Sequence, residues 1–273
     1  MRFYNPETNP PECVDSQELF PKVDEVTAAQ RCLKLGYLPS VTTVLGVIRQ
    51  EWLEKWKMRE AIKRFETTGN AWVAVQDQYN KDSKESLFGT SLHDCVNKFL
   101  NGNLEKKDTI EAKHALPLMQ WLEKNMRELI LTEGTLACRE TGCAGTVDLV
   151  FVDKDGRETI GDIKVVKVRK DKKQSPPLSY RCQLSAYAKM LGQNQYQKYR
   201  RISLYLTSPY GDITEPKLLV FDYKNDYYPD FEACMRLWSS QYNDIEEPDE
   251  STEELLKITP ELFIPKNFRK KNS

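Results

Sequence analysis

Residues 145–167 read GTVDLVFVDKDGRETIGDIKVVK, two apolar-rich runs joined at Lys154-Asp155-Gly156. A three-residue hairpin loop is usually a type I turn closed by a residue in the left-handed region, and Gly156 enters that region without a Cβ penalty. Asp153 then faces Arg157, and counting back along both strands sets Asp148 opposite Asp162. Side chains alternate with period two, so Lys164 joins the two aspartates on one face. Val147, Leu149, Phe151, Ile163 and Val165 take the other, which reads as core. A two-residue turn at Asp155-Gly156 would slip the register by one and carry Asp162 off the Asp148 face. The three-residue loop is the preferred register.

Two carboxylates facing each other across a strand pair, about 5 Å apart at Cβ, repel and ask for a cation between them. Hard oxygen donors with water completing the shell suit Mg²⁺ or Mn²⁺, and no Cys/His cluster suggests zinc. Lys164 beside them would hold or activate a water, or neutralise charge developing on a phosphate. The structural alternative is a solvated sheet face on which one aspartate pairs with Lys164.

Asp148 followed by Asp162-Ile163-Lys164 resembles the D…(D/E)xK pattern of the PD-(D/E)xK nuclease superfamily. Upstream, Gly89-Thr90-Ser91-Leu92-His93 resembles the histidine motif of its RecB-like branch, and downstream Gln183-Leu184-Ser185-Ala186-Tyr187 resembles the QxxxY motif. Order and spacing are similar to the mitochondrial genome maintenance and phage exonucleases of that branch, over roughly residues 40 to 240. The resemblance implies a restriction-endonuclease-like α/β fold. It further implies a metal site of His93, Asp148, Asp162 and the Ile163 carbonyl, with Glu133 as a further acidic candidate. Lys164 would be catalytic, and Gln183 and Tyr187 would line the cleft and hold the lysine or a phosphate.

Around this centre the chain of 273 residues is long enough to bury one substantial core. The expected organisation is an N-terminal arm over 1–38, a nuclease domain with a helical wall over 39–242 and a tail over 243–273. The net charge of −1 leaves nucleic-acid binding to local patches. Seven irregularly spaced cysteines read as reduced thiols, and no iron-sulfur cluster is expected. No run of residues is long and apolar enough for a membrane span, and the first residues lack a signal peptide's apolar centre. An intracellular, cytoplasmic site is expected, the host cytoplasm if the chain is viral.

Ser40 is a candidate cap for a helix over 41–48, and a second helix follows over 50–65 with Trp52 and Trp56 one turn apart. Lys55 and Arg59 on it are candidate contacts to nucleic acid, although the tryptophans read better as core. A short helix is expected over 72–79. Gly89-Thr90 reads as the start of another, with His93 in its first turn, ending at Asn101-Gly102. A helix over 108–127, interrupted or kinked near Pro117, precedes a strand over 130–139 that carries Glu133. Past Lys164 the run Lys167, Arg169, Lys170, Lys172 and Lys173 reads as a phosphate-backbone contact. A helix over 180–191, two closing strands and a covering helix over 231–242 complete the domain.

The sequence thus points to a mixed α/β sheet of four or five strands flanked by helices, with an N-terminal helical wall or arch. The expected function is Mg²⁺- or Mn²⁺-dependent hydrolysis of DNA. On the resemblance, an exonuclease acting on single strands or duplex ends is favoured over an endonuclease. A non-cleaving replication or recombination accessory protein with the same fold is the alternative, and partners of that kind are possible in either case.

Overall fold

The computed structural model describes residues 1–48, 51–70, 84–103, 108–171, 173–242 and 262–263, with the backbone alone for 51–57, 60, 84, 85, 262 and 263. Its centre is a mixed sheet built around the hairpin of β5 (Cys143–Asp153) and β6 (Glu158–Val166). The three-residue loop forms as its glycine requires: Gly156 sits at φ +85° and the Asp153 N–H donates to the Arg157 carbonyl at 2.9 Å. Pairs run from Val152 with Glu158 to Leu149 with Gly161, the register whose next step faces Asp148 with Asp162.

The sheet continues outward on both sides. β4 (Met126–Cys138) pairs antiparallel with β5, and β7 (Arg200–Thr207) runs parallel to β6. β8 (Leu218–Tyr223) closes one edge, and the two-residue β9 (Leu262–Phe263) lies on the other. A parallel pair needs a crossover, and the helix Leu178–Gly192 supplies it.

The sheet is covered on both faces. Lys84–Leu100 and Ile110–Asn125 pack with Leu149, Phe151, Ile163, Ile202 and Leu204 on one side. On the other side Leu178–Gly192, Tyr228–Ser240 and the N-terminal segments pack with Val150 and Ile160. Val147, expected with Leu149, joins this second cluster beyond the point where β5 stops pairing with β6. A central strand buried on both faces explains why β5 is apolar at nearly every position rather than alternating.

The N-terminal stretch, expected as an arm, carries regular structure. It folds into a three-stranded sheet of β1 (Arg2–Asn5), β2 (Glu12–Asp15) and β3 (Leu38–Pro39), with helices α1 (Ser16–Leu19) and α2 (Glu25–Lys34). Phe3 is fully buried, its ring 6.2 Å from that of Trp238. Ser40 caps α3 (Val41–Leu45) as expected, accepting from the Thr43 N–H at 2.9 Å. The helix expected over 50–65 is α4 (Glu51–Thr68). The helix expected over 72–79 and most of the tail lie outside the described residues. The remaining helices are numbered α5 (Lys84–Leu100), α6 (Ile110–Asn125, with Pro117 inside it), α7 (Leu178–Gly192) and α8 (Tyr228–Ser240). Among the described residues no helix is long and apolar enough to cross a membrane.

Candidate metal and nuclease site

The strands β5 and β6 part where the carboxylates begin. The Asp148 carboxylate takes the Ile163 N–H at 2.7 Å, the donor that the next rung of the ladder would have used. Asp148 is thereby fixed by backbone, and Ile163 keeps its side chain in the core. Two residues along from Asp162, Lys164 places Nζ 2.6 Å from Asp162 Oδ1. Asp162 Oδ2 is buried, with no hydrogen-bond partner among the described residues. A buried, half-satisfied carboxylate is costly in a fold.

Glu133 reaches the same place from β4. The pairs Thr132 with Leu149 and Gly134 with Val147 put it across from Asp148. It does so in the left-handed region, at φ +48°, which is uncommon for a residue with a side chain and expensive inside a strand. At the next residue, a Cβ on Gly134 would fall 2.3 Å from the Leu131 side chain, which would have to move aside.

His93 comes from α5. That helix begins at Lys84, so His93 sits in mid-helix rather than in a first turn, because Gly89 is carried inside the helix instead of opening it. Its Nδ1 lies 3.4 Å from Glu133 Oε1 and 4.0 Å from Asp148 Oδ2. The donor atoms of His93, Glu133 and Asp148 all fall within 4.8 Å of one another, the one such trio among the described residues. Asp162 stands outside it, engaged by Lys164.

The charges respond to this crowding. Burial pushes the Asp162 carboxyl up to about 6 against the pull of Lys164, and Asp148 adds to the rise. Burial likewise raises Asp148, opposed by Lys164 and His93. For Lys164, burial favours the neutral amine, but Asp162 and Asp148 outweigh it and hold the ammonium well above the ordinary lysine range. For His93, burial is outweighed by the hydrogen bond to Glu133 and the charge of Asp148, so its imidazole is also raised. The buried carboxyls of Asp148 and Asp162 thus favour positive charge beside them, and Lys164 supplies part of it.

Helix α7 forms the wall. Gln183 and Tyr187 are both buried, and Gln183 Nε2 donates to Tyr187 Oη at 3.5 Å. The tyrosine fits because Gly145 has no side chain: a Cβ there would lie 2.7 Å from Tyr187 Oη. One turn before Gln183 on the same face, Tyr180 brings its ring to 5.1 Å from Lys164 Nζ. Sequence reading passes over Tyr180, although its spacing from Gln183 and Tyr187 (i, i+3, i+7) marks it as a third member of that face.

Lys167, Arg169, Lys170 and Lys173 are exposed on the segment leaving β6 past Lys164, and Arg59 is exposed on α4. Lys172 and the Lys55 side chain lie outside the described residues. All seven cysteines are free thiols, and six of them are buried.

No family model matches the chain, and no curated protein matches it. Among solved structures it is similar to a protein from Eubacterium rectale described as a "Putative exonuclease", at 16% identity and a TM-score of 0.40, covering 70% of this chain and 81% of that one. A likeness of that size bears on neither fold nor chemistry, so the chemistry has to come from the site's own geometry.

Proposed function

We propose that this protein is a metal-dependent deoxyribonuclease that hydrolyses phosphodiester bonds, acting as an exonuclease. The observation that carries the reading is the convergence of His93, Glu133 and Asp148 beside the buried Asp162–Lys164 pair. The preference for exonuclease over endonuclease rests on the order of the four motifs alone.

The donor set suits Mg²⁺ or Mn²⁺: two carboxylates and one imidazole, with the unpartnered Asp162 Oδ2 and the Ile163 carbonyl alongside. An ion held there would activate water and offset charge on the phosphate. The protein's own groups divide the remaining work. The Ile163 N–H fixes Asp148, and Asp162 fixes Lys164. Asp162 and Asp148 favour the charged form of Lys164. It would place that positive charge against the phosphate oxygens and orient water. Gln183 and Tyr187 support the cleft from α7. Lys167, Arg169, Lys170, Lys172 and Lys173, with Lys55 and Arg59, would hold the DNA backbone without choosing sequence.

Replacing Lys164 with alanine separates these roles. Cleavage of end-labelled DNA should fall by roughly a thousandfold while binding in a mobility-shift assay changes little. Near-normal cleavage by a clean preparation of Lys164→Ala would remove the lysine from the mechanism.

A further inference from the structure

Helix α7 contributes one aromatic side chain to the site that the motif resemblance does not include. Tyr180 lies in its first turn, partly buried, with its ring centroid 5.1 Å from Lys164 Nζ. The ammonium thus has two partners: the Asp162 carboxylate at 2.6 Å, and the negative face of an aromatic ring. The ring is itself held. Tyr205 packs edge-on against it at 6.3 Å, and Phe221 packs against Tyr205 at 5.0 Å. Tyr205 is the cross-strand neighbour of Lys164 in the parallel β6–β7 ladder, so lysine and aromatic support are carried by adjacent strands. Tyr205 is almost fully buried, which fixes its ring against that of Tyr180.

We propose that Tyr180 is a positioning residue for Lys164, its ring, backed by Tyr205 and Phe221, holding the ammonium beside Asp162 and in line with a phosphate bound at the site. A long lysine side chain next to several carboxylates has many arrangements of similar energy. A fixed ring face removes those that lead away from the reacting phosphate, and it does so without neutralising the charge. The assignment rests on the nuclease reading above and adds to it the element that orients its lysine.

The test compares Tyr180→Phe with Tyr180→Leu in the full chain, using Mn²⁺ and end-labelled DNA. Tyr180→Phe keeps the ring and should cleave like wild type. Tyr180→Leu removes it and should lower kcat about tenfold, with KM and calorimetric Mn²⁺ affinity nearly unchanged. A readout independent of turnover is the NMR shift of the Lys164 side-chain protons, assigned with Lys164→Arg. They should be moved upfield by the ring in wild type and Tyr180→Phe, and relax in Tyr180→Leu. If Tyr180→Leu does not fold, Tyr180→Met fills the volume without a ring and is judged the same way. Wild-type kcat in the ringless variant, a loss that falls on KM, or Tyr180→Phe as poor as Tyr180→Leu would each overturn the assignment. The second of these outcomes would mean that the ring touches DNA, and the third that the hydroxyl acts. A wild type that cleaves nothing removes the nuclease reading itself, whereas a cleaving wild type with an indifferent Tyr180 removes only this assignment.

Discussion

At the scale of single residues, Glu133 is where fold and function pull apart. A side chain at φ +48° within a strand costs about 1–2 kcal/mol, and it brings a carboxylate beside Asp148, where repulsion adds to the cost and the hydrogen bond to His93 offsets part of it. Glu133→Gly relieves both. The variant should be more stable by roughly 0.5–1 kcal/mol in thermal or urea melts without metal, the greater freedom of glycine in the unfolded chain offsetting part of the gain. Its cleavage should nevertheless fall at least about tenfold, as expected when a supporting acidic group is lost. A variant that is less stable and fully active would assign Glu133 to the fold alone. The aspartates and Lys164 are legible from sequence because strand periodicity and one turn glycine fix their faces. Glu133 is not legible in that way, because its placement depends on a backbone conformation that glutamate does not advertise.

At the scale of elements, the site depends on how closely α7 approaches β5. Ten of the 15 residues of α7 are buried, and Tyr187 lies over Gly145 with no space for a methyl group. Gly145→Ala should push the Tyr187 ring away and break its contact with Gln183. The expected cost is about 1–3 kcal/mol in stability, accompanied by reduced cleavage. The pairing can be checked with Tyr187→Phe: if the clash lies at Oη, Gly145→Ala should cost less in that background. Equal costs in the two backgrounds would place the strain elsewhere. The hairpin register is readable from the sequence because Lys154-Asp155-Gly156 admits one turn type better than the others. The start of α5 is not. Gly89 looks like a boundary, yet it sits inside the helix with open space where its Cβ would be, so the helix tolerates it at about 1 kcal/mol rather than requiring it. That error moved His93 along its helix without removing it from the site.

At the scale of the whole molecule, a sheet covered on both faces lets acidic groups be buried beside Lys164. The N-terminal segments complete one of those covers, which polar composition and short, weakly periodic pieces hide from sequence reading. Phe3 reaches the core through tertiary contact with Trp238, and no local pattern announces it. Phe3→Ala should cost about 3–5 kcal/mol in chemical denaturation, as for a fully buried aromatic. A cost under about 1 kcal/mol, as surface positions give, would contradict a core role for Phe3. On the proposed function, the whole assembly would hold a divalent cation against DNA. The most direct test is to incubate wild type and Asp162→Ala with linear and circular DNA, single- and double-stranded, in Mg²⁺, Mn²⁺ or EDTA. Metal-dependent loss of linear DNA alone, absent in the variant, is the predicted result, and cutting of circles would make the enzyme an endonuclease. Intact DNA under every metal, with binding retained, would contradict the account and leave a DNA-binding protein that uses the fold without turnover.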